Sequence, residues 1–543
     1  MVAVSRCLAS LTVFAGSAAG VRVSKKRGQN SKFIAGVPVL NYDDAYGGEA
    51  SLAEFGAEEE WNIVVNKGVS DAQIQEMCKK APNGCKQTGN PDKGGVPFLE
   101  IRGTEAELEA VIKSSPGSVK FVEPDTMVYA IPELTAENPE SQLWGLERVA
   151  AYTRTSQGSG VTVFLTDTGV RASHQDFGGR VIPTLDLTSG SLVECNGDTS
   201  CAGDAQGHGT HCAGTAAGAN YGVAPQATIR SVKVLSDQGS GSWSWSYSAL
   251  NWMATSSIRP SVASMSLGGP GTQNAMKDAV DAATNAGVVV TVAGGNSNTD
   301  ACSFSPAFVP SAITVGSTDS RDDRSSFSNY GACTNIWAPG SSILSAGHRS
   351  DTATATFSGT SMACPHVAGG IILVLEANPG FNYAKVLEKL HADASTDSVK
   401  GLRSGDINKM LYVGADAPPP AGEVPPPGDG DDCPSYCLLC VLPQCPSYCC
   451  SWSSAANATP QATIPLTVND CGGSSHIARL QDYSPKSVNT GVENQLNAWG
   501  TISEDVTGGR LNLNAAMTGF PWTGLGSVTN HNICTAHNLS CEL

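Results

Sequence analysis

The chain has 543 residues, which is room for about three or four domains of roughly 150 residues each. Its 33 Lys and Arg against 50 Asp and Glu give a net charge of −17, and so acidic a protein is repelled by phosphate backbones, which argues against nucleic-acid binding. A charged fraction of only 15%, with 59 Gly and 18 Cys, excludes a coiled coil or a long disordered chain and indicates a globular protein of an oxidising compartment.

The N-terminus reads as a secretory signal peptide at residues 1–20. Arg6 precedes a short apolar run at 8–15, and small residues at 16–20 form a cleavage zone. No later run reaches the roughly 18 apolar residues that a membrane span needs, so no transmembrane span is expected. The mature protein is therefore expected to be secreted, either outside the cell or in the lumen of the secretory or lysosomal pathway.

Residues 21–136 read as a leader followed by a small α+β unit at 61–130. The leader, 21–60, is rich in Gly and charge and shows no clear period. We interpret the unit as a ferredoxin-like fold, whose full pattern is β-α-β-β-α-β, and Thr104 with Glu107 forms a capping box. The predicted elements are strands at 61–65, 98–101, 119–122 and 126–130 and helices at 71–78 and 104–113.

Residues 137–413 read as one α/β domain. Apolar strands alternate with helices, and strands of this kind favour a parallel sheet with helices on both faces. The clearest segments are 161–166, 249–255, 262–267, 275–286, 288–293, 312–316 and the long apolar helix 362–376.

The C-terminal part begins with a Pro-rich and Cys-rich linker at 414–450. Its first half is acidic and rich in proline, and its second half holds six cysteines within 433–450. Those cysteines fit either a disulfide knot or a metal knuckle, and an oxidising compartment favours disulfides. Residues 451–543 alternate apolar and polar residues between turn signals, which indicates a small all-β module.

Three segments carry chemistry, and each has a plainer interpretation. Asp167 ends a buried strand, where α/β sheets place reactive groups, although Asp also closes turns. His208 follows small residues at a helix start; it could be a core residue, or it could pair with His211 as a zinc site that lacks an obvious third ligand. Ser361 stands where the long apolar helix begins, which suits a nucleophile and equally a helix cap.

The three segments, in the order Asp, His, Ser, resemble the subtilisin-like serine proteases. Gly-Thr-Ser-Met-Ala-Cys-Pro-His-Val at 359–367 carries most of the likeness. Gly-His-Gly-Thr-His-Cys-Ala-Gly-Thr at 207–215 and Ser-Phe-Ser-Asn-Tyr-Gly at 326–331 resemble the proteinase K-like branch. Residues 61–130 are similar to the inhibitory prosegment of these enzymes. The resemblance implies a subtilisin-like fold and a serine endopeptidase.

The resemblance also implies the role of each catalytic side chain. Ser361 would attack the peptide carbonyl, His208 would take its proton and later give it to the leaving amine, and Asp167 would orient the imidazole. Asn296 matches the family's side-chain donor to the oxyanion, with the Ser361 N–H as its partner. This chemistry requires no cofactor.

Substrate-binding residues follow from the same resemblance. Two segments would pair with an extended polypeptide substrate, and a third would form the floor and wall of the pocket for the residue before the scissile bond. Small uncharged residues there predict an open apolar pocket and broad specificity. The segments are Gly239, Ser240 and Gly241; Ser266, Leu267 and Gly268; and Ala293, Gly294 and Gly295.

Some of the cysteines also have expected states. Cys302 and Cys333 fall in segments where relatives of this branch carry a disulfide, and Cys195 and Cys201 could close a local bridge in the loop before the histidine. Cys212 matches a buried free thiol of the family. Like Cys364, it is expected to be a small buried apolar group rather than a nucleophile.

Structural calcium is the one metal that the resemblance suggests. The family's strong site would take the carbonyl oxygens of Pro310 and Ala312 and a carboxylate. At the carboxylate's position this chain has Asn335, an uncharged ligand, so weaker binding is expected.

Two functions from different classes follow. The first is a protease whose own propeptide is an intramolecular inhibitor and is cut off between about Ala130 and Glu140. The second is a binding protein, an inactive protease scaffold that presents the C-terminal module. Four short segments of that module faintly resemble the ML lipid-recognition family: Asp470-Cys471-Gly472, Ser484-Pro485, Gly500-Thr501-Ile502 and Asn532-Ile533-Cys534. The resemblance would make lipid its ligand, and a generic secreted β module is the alternative.

Overall fold

The structure, a computed structural model, describes residues 32–42, 58–131, 134–135, 143–416 and 418, and beyond them only the strand segments between 463 and 528. It divides into two units, Met1–Pro426 and Pro427–Leu543, which are treated separately. The predicted signal peptide at 1–20 and the cysteine repeat at 433–450 lie outside the described residues.

The N-terminal subdomain, residues 32–42 and 58–131, is a six-stranded sheet with two helices. Both helices begin at capping boxes, Ser70 with Gln73 and Thr104 with Glu107, which satisfy first-turn N–H groups. The elements here are β1 Lys32–Ile34, β2 Val37–Val39, β3 Glu59–Val65, α1 Asp71–Cys78, β4 Cys85–Thr88, β5 Phe98–Gly103, α2 Glu105–Ser114, β6 Val119–Pro124, β7 Met127–Ala130 and β8 Leu134–Thr135. The sheet order is β1-β2-β6-β3-β5-β4.

Three expectations for this subdomain were wrong. Residues 32–39 are not a loose leader, because β1 and β2 form a hairpin whose second strand joins the sheet beside β6. Cys85–Thr88 is an additional strand, tied to α1 by a disulfide between Cys78 and Cys85. Met127–Ala130 is not a strand of this sheet but leaves it to pair elsewhere.

The central subdomain, residues 143–416, is built on a ten-stranded sheet. Its strands are β9 Thr162–Asp167, β10 Val181–Asp186, β11 Val193–Glu194, β12 Thr228–Lys233, β14 Ser261–Met265, β16 Val288–Ala293, β18 Ile313–Thr318, β19 Ile336–Pro339, β22 Ser395–Thr396 and β23 Lys409–Met410. In the order β11-β10-β12-β9-β14-β16-β18-β19-β23-β22, only the two outermost pairings are antiparallel. The predicted, mainly parallel sheet of an α/β domain is therefore present.

Helices cover this sheet and bury its apolar strands. They are α3 Trp144–Arg148, α4 His208–Ala217, α5 Trp243–Thr255, α6 Asn274–Asn285, α7 Thr360–Ala377 and α8 Tyr383–Asp393. Within the described part of the chain, α7 is the one helix long and apolar enough to cross a membrane, yet 89% of it is buried inside the protein. It is a core helix, which explains why its sequence is apolar on every side.

Two small sheets stand at the edge where the functional side chains gather. The first has the order β13-β7-β15-β17 and the second β20-β21-β8, so each takes in a strand from the N-terminal segment. The remaining strands are β13 Ser240–Ser242, β15 Leu267–Pro270, β17 Phe304–Ser305, β20 Ile343–Ala346 and β21 Thr354–Ser358.

The second unit is described only as strands. They are β24 Thr463–Val468, β25 Ala478–Ser484, β26 Ser487–Asn489, β27 Asn497–Ile502, β28 Leu513–Met517 and β29 Leu525–Val528. All of their pairings are antiparallel. The all-β module and its lipid ligand stay predictions.

Candidate active site

Asp167 and His208 form a buried hydrogen-bonded pair. Asp167 is the last residue of β9, and His208 is the first residue of α4. The imidazole Nδ1 lies 2.8 and 2.9 Å from the two carboxylate oxygens, and each side chain is 1% exposed. Gly207 precedes the histidine with φ +114°, a conformation that side-chain-bearing residues rarely adopt, and a Cβ there would lie 2.3 Å from His348.

The electrostatics of this pair favour a charged imidazole. Burial is the largest single effect and disfavours the imidazolium, but the Asp167 carboxylate and Cys212 together outweigh it and raise the pKa of His208 well above its ordinary value. The Nε2 atom is buried and makes no hydrogen bond within the described residues. An imidazole held by a carboxylate on one nitrogen and open on the other can act as a base.

Ser361 is the second residue of α7, where the N–H groups of the first turn have no partner within the helix. Pro365 lies in the second turn and has no N–H to give to the Ser361 carbonyl. That carbonyl accepts instead from Ser266 Oγ at 3.0 Å and from Cys212 Sγ at 3.3 Å. These two contacts replace the missing helical bond and link the serine to the β14–β15 segment and to α4, the helix that begins at His208.

Asn296 is held beside the serine by Thr360. The carboxamide Oδ1 accepts from the Thr360 N–H and from its hydroxyl, both at 2.9 Å. With the oxygen engaged in this way, the amide Nδ2 is the end of Asn296 that donates, and it faces Gly359, where a Cβ would lie 2.9 Å away. A donor on this side and the first-turn N–H of Ser361 could bind one oxyanion between them.

Both predicted substrate-binding segments hold a strand of the same chain. Strand β7 lies between β13 and β15 and pairs antiparallel with each. The Ala130 N–H donates to the Gly239 carbonyl at 2.8 Å, and Gly268 stands opposite Tyr129. The two segments therefore bind an extended backbone, here that of residues 127–130.

Ile131 directly follows this strand, and its N–H donates to the Ser266 carbonyl at 3.4 Å. Its side chain is 1% exposed and belongs to the same hydrophobic cluster as Ala293. Gly295 has φ +102°, and a Cβ there would lie 2.3 Å from Asn329 Nδ2, so this wall has no room for a side chain. Gly294 is fixed by its N–H, which donates to the Val315 carbonyl at 2.9 Å.

His211 does not serve as the second ligand of the alternative zinc site at His208. His211 does not face Asp167, since its Nε2 lies 2.9 Å from the Ile343 carbonyl and its ring stacks on Phe357. Burial lowers the pKa of His211 to about 3, so it is neutral. It is a core residue, as is His366, whose pKa burial lowers to about 4.

The oxygens expected for calcium do not fit a bound ion. The Tyr383 hydroxyl donates to the Pro310 carbonyl at 2.8 Å and reaches that of Ala312 at 3.4 Å. The Asn335 Oδ1 accepts from the Thr314 N–H at 2.8 Å. All three oxygens are engaged by protein donors, and none carries the charge that Ca²⁺ favours.

Two disulfides join the cysteines named above, Cys302 with Cys333 and Cys195 with Cys201. Cys212 and Cys364 are free and buried. Burial raises the pKa of Cys364 to about 12, which keeps it a thiol.

Residues that sequence reasoning missed include Ile131, Tyr383 and the disulfide partners Cys78 and Cys85. The disulfide had a signal, because the two cysteines flank the turn that follows a predicted helix. Thr360 also had a signal in the sequence, since it stands next to Ser361. Tyr383 had none, because its partners are about seventy residues away.

Comparison with known proteins extends these observations. Residues 158–406 match the family described as the subtilase family of peptidases. The chain is 42% identical over 315 residues to an alkaline serine exoprotease A of Vibrio alginolyticus, covering 56% of this chain and 57% of that protein. It is 42% identical over 327 residues to an extracellular serine proteinase of a Thermus species (58% and 76%), and 41% identical over 379 residues to a cuticle-degrading serine protease of Arthrobotrys oligospora (65% and 90%).

Proposed function

The chain belongs to the subtilase family and is a secreted serine endopeptidase, and we propose that it has broad, apolar-leaning specificity and is made as a self-inhibited zymogen. The observation that carries the proposal is the arrangement around Ser361. Ser361 stands at a helix start, and the substrate-like strand reaches it through the Ile131 carbonyl. The buried Asp167–His208 pair is linked to it through Cys212, whose Sγ lies 3.9 Å from His208 Nδ1 and 3.3 Å from the Ser361 carbonyl oxygen.

In the first step, Ser361 Oγ attacks the carbonyl carbon of the substrate. The hydroxyl is a weak nucleophile, and His208 Nε2, which has no other partner among the described residues, takes its proton. Asp167 accepts the Nδ1–H bond, which selects the tautomer with Nε2 free and stabilises the imidazolium that forms.

The oxyanion that develops is stabilised by Asn296 Nδ2 and the Ser361 N–H. Thr360 fixes the carboxamide with two hydrogen bonds, so the donor needs no reorganisation when charge appears. The imidazolium of His208 then gives its proton to the leaving nitrogen, and water repeats the sequence in reverse to release the acyl group.

Specificity follows from the pocket beside Ala293, Gly294 and Gly295. This segment has no charged residue, and the buried apolar side chain of Ile131 belongs to the same hydrophobic cluster as Ala293. Main-chain pairing along β13 and β15 binds any extended polypeptide. We therefore expect polypeptide substrates with apolar residues before the scissile bond.

The zymogen proposal rests on β7, which occupies the positions that a substrate strand would take. While it remains there, a protein substrate cannot pair with the same edges. The propeptide is thus its own enzyme's competitive inhibitor, and removal of residues up to about 140 would open the cleft.

The test is hydrolysis of a denatured protein by the secreted enzyme, with Ser361→Ala in parallel. The variant should lose about 10⁶-fold in rate, because the three residues act as a unit. Ser297→Ala, on the exposed neighbour of Asn296, is the matched control and should keep full activity. Turnover by Ser361→Ala near that of the control would contradict the proposal.

A further inference from the structure

The motif Ser-Phe-Ser-Asn-Tyr-Gly at 326–331 has no part in the chemistry described above, yet its asparagine bonds to the segment that carries Asn296. Asn329 is fully buried and lies in the connection between β18 and β19. Its carboxamide makes hydrogen bonds to residues of the segment 294–299, which follows β16. The motif therefore has a contact with the oxyanion site that its sequence does not announce.

The two ends of this carboxamide bond to the chain on opposite sides of Asn296. After Asn296, the Oδ1 atom accepts from the Ser297 N–H at 3.1 Å, from the Thr299 N–H at 3.0 Å and from the Thr299 hydroxyl at 3.3 Å. Before Asn296, the Nδ2 atom donates to the Gly294 carbonyl at 2.8 Å. These partners fix which end is which, since a flipped amide would set its own N–H groups against two backbone N–H groups.

Three consecutive peptide units around Asn296 are bonded to Asn329. Its Nδ2 bonds to the unit 294–295, its backbone N–H donates to the Gly295 carbonyl of the unit 295–296 at 2.8 Å, and its Oδ1 bonds to the unit 296–297. Because each peptide unit is planar, the units on either side of an α-carbon fix φ and ψ there and hence the direction of the Cβ. The direction in which the Asn296 side chain leaves the backbone is therefore set by Asn329.

Thr360 and Asn329 hold different parts of the same donor. Thr360 holds the carboxamide oxygen of Asn296, and its hydroxyl also accepts from the Gly295 N–H at 3.0 Å. Asn329 holds the backbone, and it lies so close that a Cβ on Gly295 would come within 2.3 Å of its Nδ2. With both contacts in place, neither the backbone nor the carboxamide of Asn296 has freedom to turn away from the serine.

We infer that Asn329 is a positioning residue of the oxyanion site: it fixes the backbone of Asn296 so that the amide Nδ2 meets the developing charge, and through Gly294 it also fixes the segment predicted to form the pocket wall. The inference rests on the proposed function, because it needs Asn296 to be an oxyanion donor. A misplacement of about 1 Å can cost about 10²-fold in rate, so a residue that touches no substrate can still govern kcat.

The test is a double-mutant cycle on the secreted enzyme, with kcat and KM measured on a short peptide substrate that has an apolar residue before the scissile bond. Asn329→Ala should lower kcat by about 10–10²-fold. In the Asn296→Ala background the same substitution should change kcat by less than about threefold, because the donor that Asn329 positions is already gone.

Asn408→Ala is the matched control. The Asn408 carboxamide accepts from the Val399 N–H at 2.9 Å and donates to the Val399 carbonyl at 3.0 Å, so it also holds the backbone of another segment by both ends. This variant should lower the melting temperature and leave kcat unchanged, which separates a general loss of stability from an effect on the oxyanion site.

Asn329→Asp covers the case in which Asn329→Ala does not fold. It keeps the acceptor oxygen for Ser297 but sets a second oxygen against the Gly294 carbonyl, so it should raise KM and keep kcat within about threefold of the wild type, the pattern of lost uniform binding. A kcat loss in Asn329→Asp as large as that of Asn296→Ala would overturn the inference.

Two results of the cycle would also overturn it: an unchanged kcat in Asn329→Ala, or an equal loss of kcat from Asn329→Ala with and without Asn296. An Asn296→Ala variant with the kcat of the wild type would instead defeat the oxyanion role in the proposed function.

Discussion

At the scale of single residues, the serine site depends on hydrogen bonds that fix the orientation of each reactive group. Thr360 holds the oxygen of Asn296, Asp167 holds Nδ1 of His208, and Ser266 holds the carbonyl of the nucleophile. Each contact orients a reactive group before substrate arrives, and preorganisation of this kind is what lowers the barrier.

Asn296→Ala should lower kcat by about 10²–10³-fold, the loss measured for one oxyanion donor in a subtilisin, with little change in KM. The reason is that the donor acts on charge that exists only in the transition state. Steady-state kinetics on a short peptide substrate measure the split, with Ser297→Ala as the control. An increase in KM at unchanged kcat would mean that Asn296 only binds the ground state.

The pH dependence of kcat/KM should show an acid limb set by His208. Its pKa is raised, so the imidazole stays protonated to a higher pH than an ordinary histidine, and activity is lost as pH falls through that raised pKa. The midpoint of this acid limb should therefore lie above about 6.5, the ordinary pKa of histidine. Asp167→Asn should move the limb down and lower the rate by about 10⁴-fold. A limb that stays in place in Asp167→Asn would exclude His208 as the titrating group.

Chelation should leave the melting temperature of the wild type unchanged, because Tyr383 already satisfies the carbonyls expected to bind calcium. Tyr383→Phe removes that donor from the exposed Pro310 and from the buried Ala312, at a cost of about 0.5–1.5 kcal/mol. Calorimetry with and without a chelator measures both effects, and Tyr221→Phe is the matched substitution elsewhere. A fall of several degrees in the melting temperature of the wild type on chelation would show that calcium binds at this site.

At the scale of elements, the N-terminal subdomain docks by capping two helices of the central subdomain. Glu123, in β6, accepts from the Asn274 and Ala275 N–H groups at the start of α6, at 2.9 and 3.0 Å. Asp125 accepts from the Ser244 N–H at the start of α5. A carboxylate at a helix N-terminus meets both free donors and the positive end of the dipole.

Glu123→Ala should loosen this docking and raise the residual activity of the intact precursor about 5–30-fold, which corresponds to a loss of 1–2 kcal/mol. The readout is turnover of a small peptide substrate before any processing. Lys120→Ala is the control: it breaks an exposed ion pair with Asp278 across the same boundary, and exposed pairs contribute little. Equal effects of the two substitutions would contradict the role of the cap.

At the scale of the whole molecule, the boundary between the two subdomains buries several carboxylates. Burial raises the pKa of Glu100 to about 8, with the nearby Asp125 acting in the same direction, and it also raises the pKa of Glu123 and of Asp125. Lys86 lies 3.9 Å from Glu100 and opposes the shift, and Glu60 adds to it. Docking that buries Glu100 therefore favours the protonated form of that carboxyl.

Self-inhibition should weaken as pH rises. The docked Glu100 has a pKa raised to about 8, so its contribution to docking is fully present below the ordinary glutamate pKa of about 4.3 and is lost as pH rises through about 8. The measurement is the activity of the precursor divided by that of the matured enzyme, between about pH 6 and 9. Taking this ratio removes the pH dependence that His208 gives to both activities. Glu100→Gln should flatten the ratio. A ratio that falls with rising pH would refute the linkage.

The sequence alone determined what depends on contacts between residues close in the chain. The capping boxes at Ser70 and Thr104 lie within four residues, so both helix starts were predictable. The family assignment is confirmed, because short unbroken segments around Asp167, His208 and Ser361 carry it. The apolar strands and helices of the central sheet followed from local periodicity in the same way.

Only the tertiary structure decided which distant segments meet. The register that sets Ile131 against Ser361 depends on pairing with Gly239 and Ser266, more than a hundred residues away, and a strand's sequence does not state its partners. Tyr383 takes the expected calcium oxygens for the same reason. Side chains from separate elements come together through packing, so their shared chemistry becomes visible only when the chain is folded.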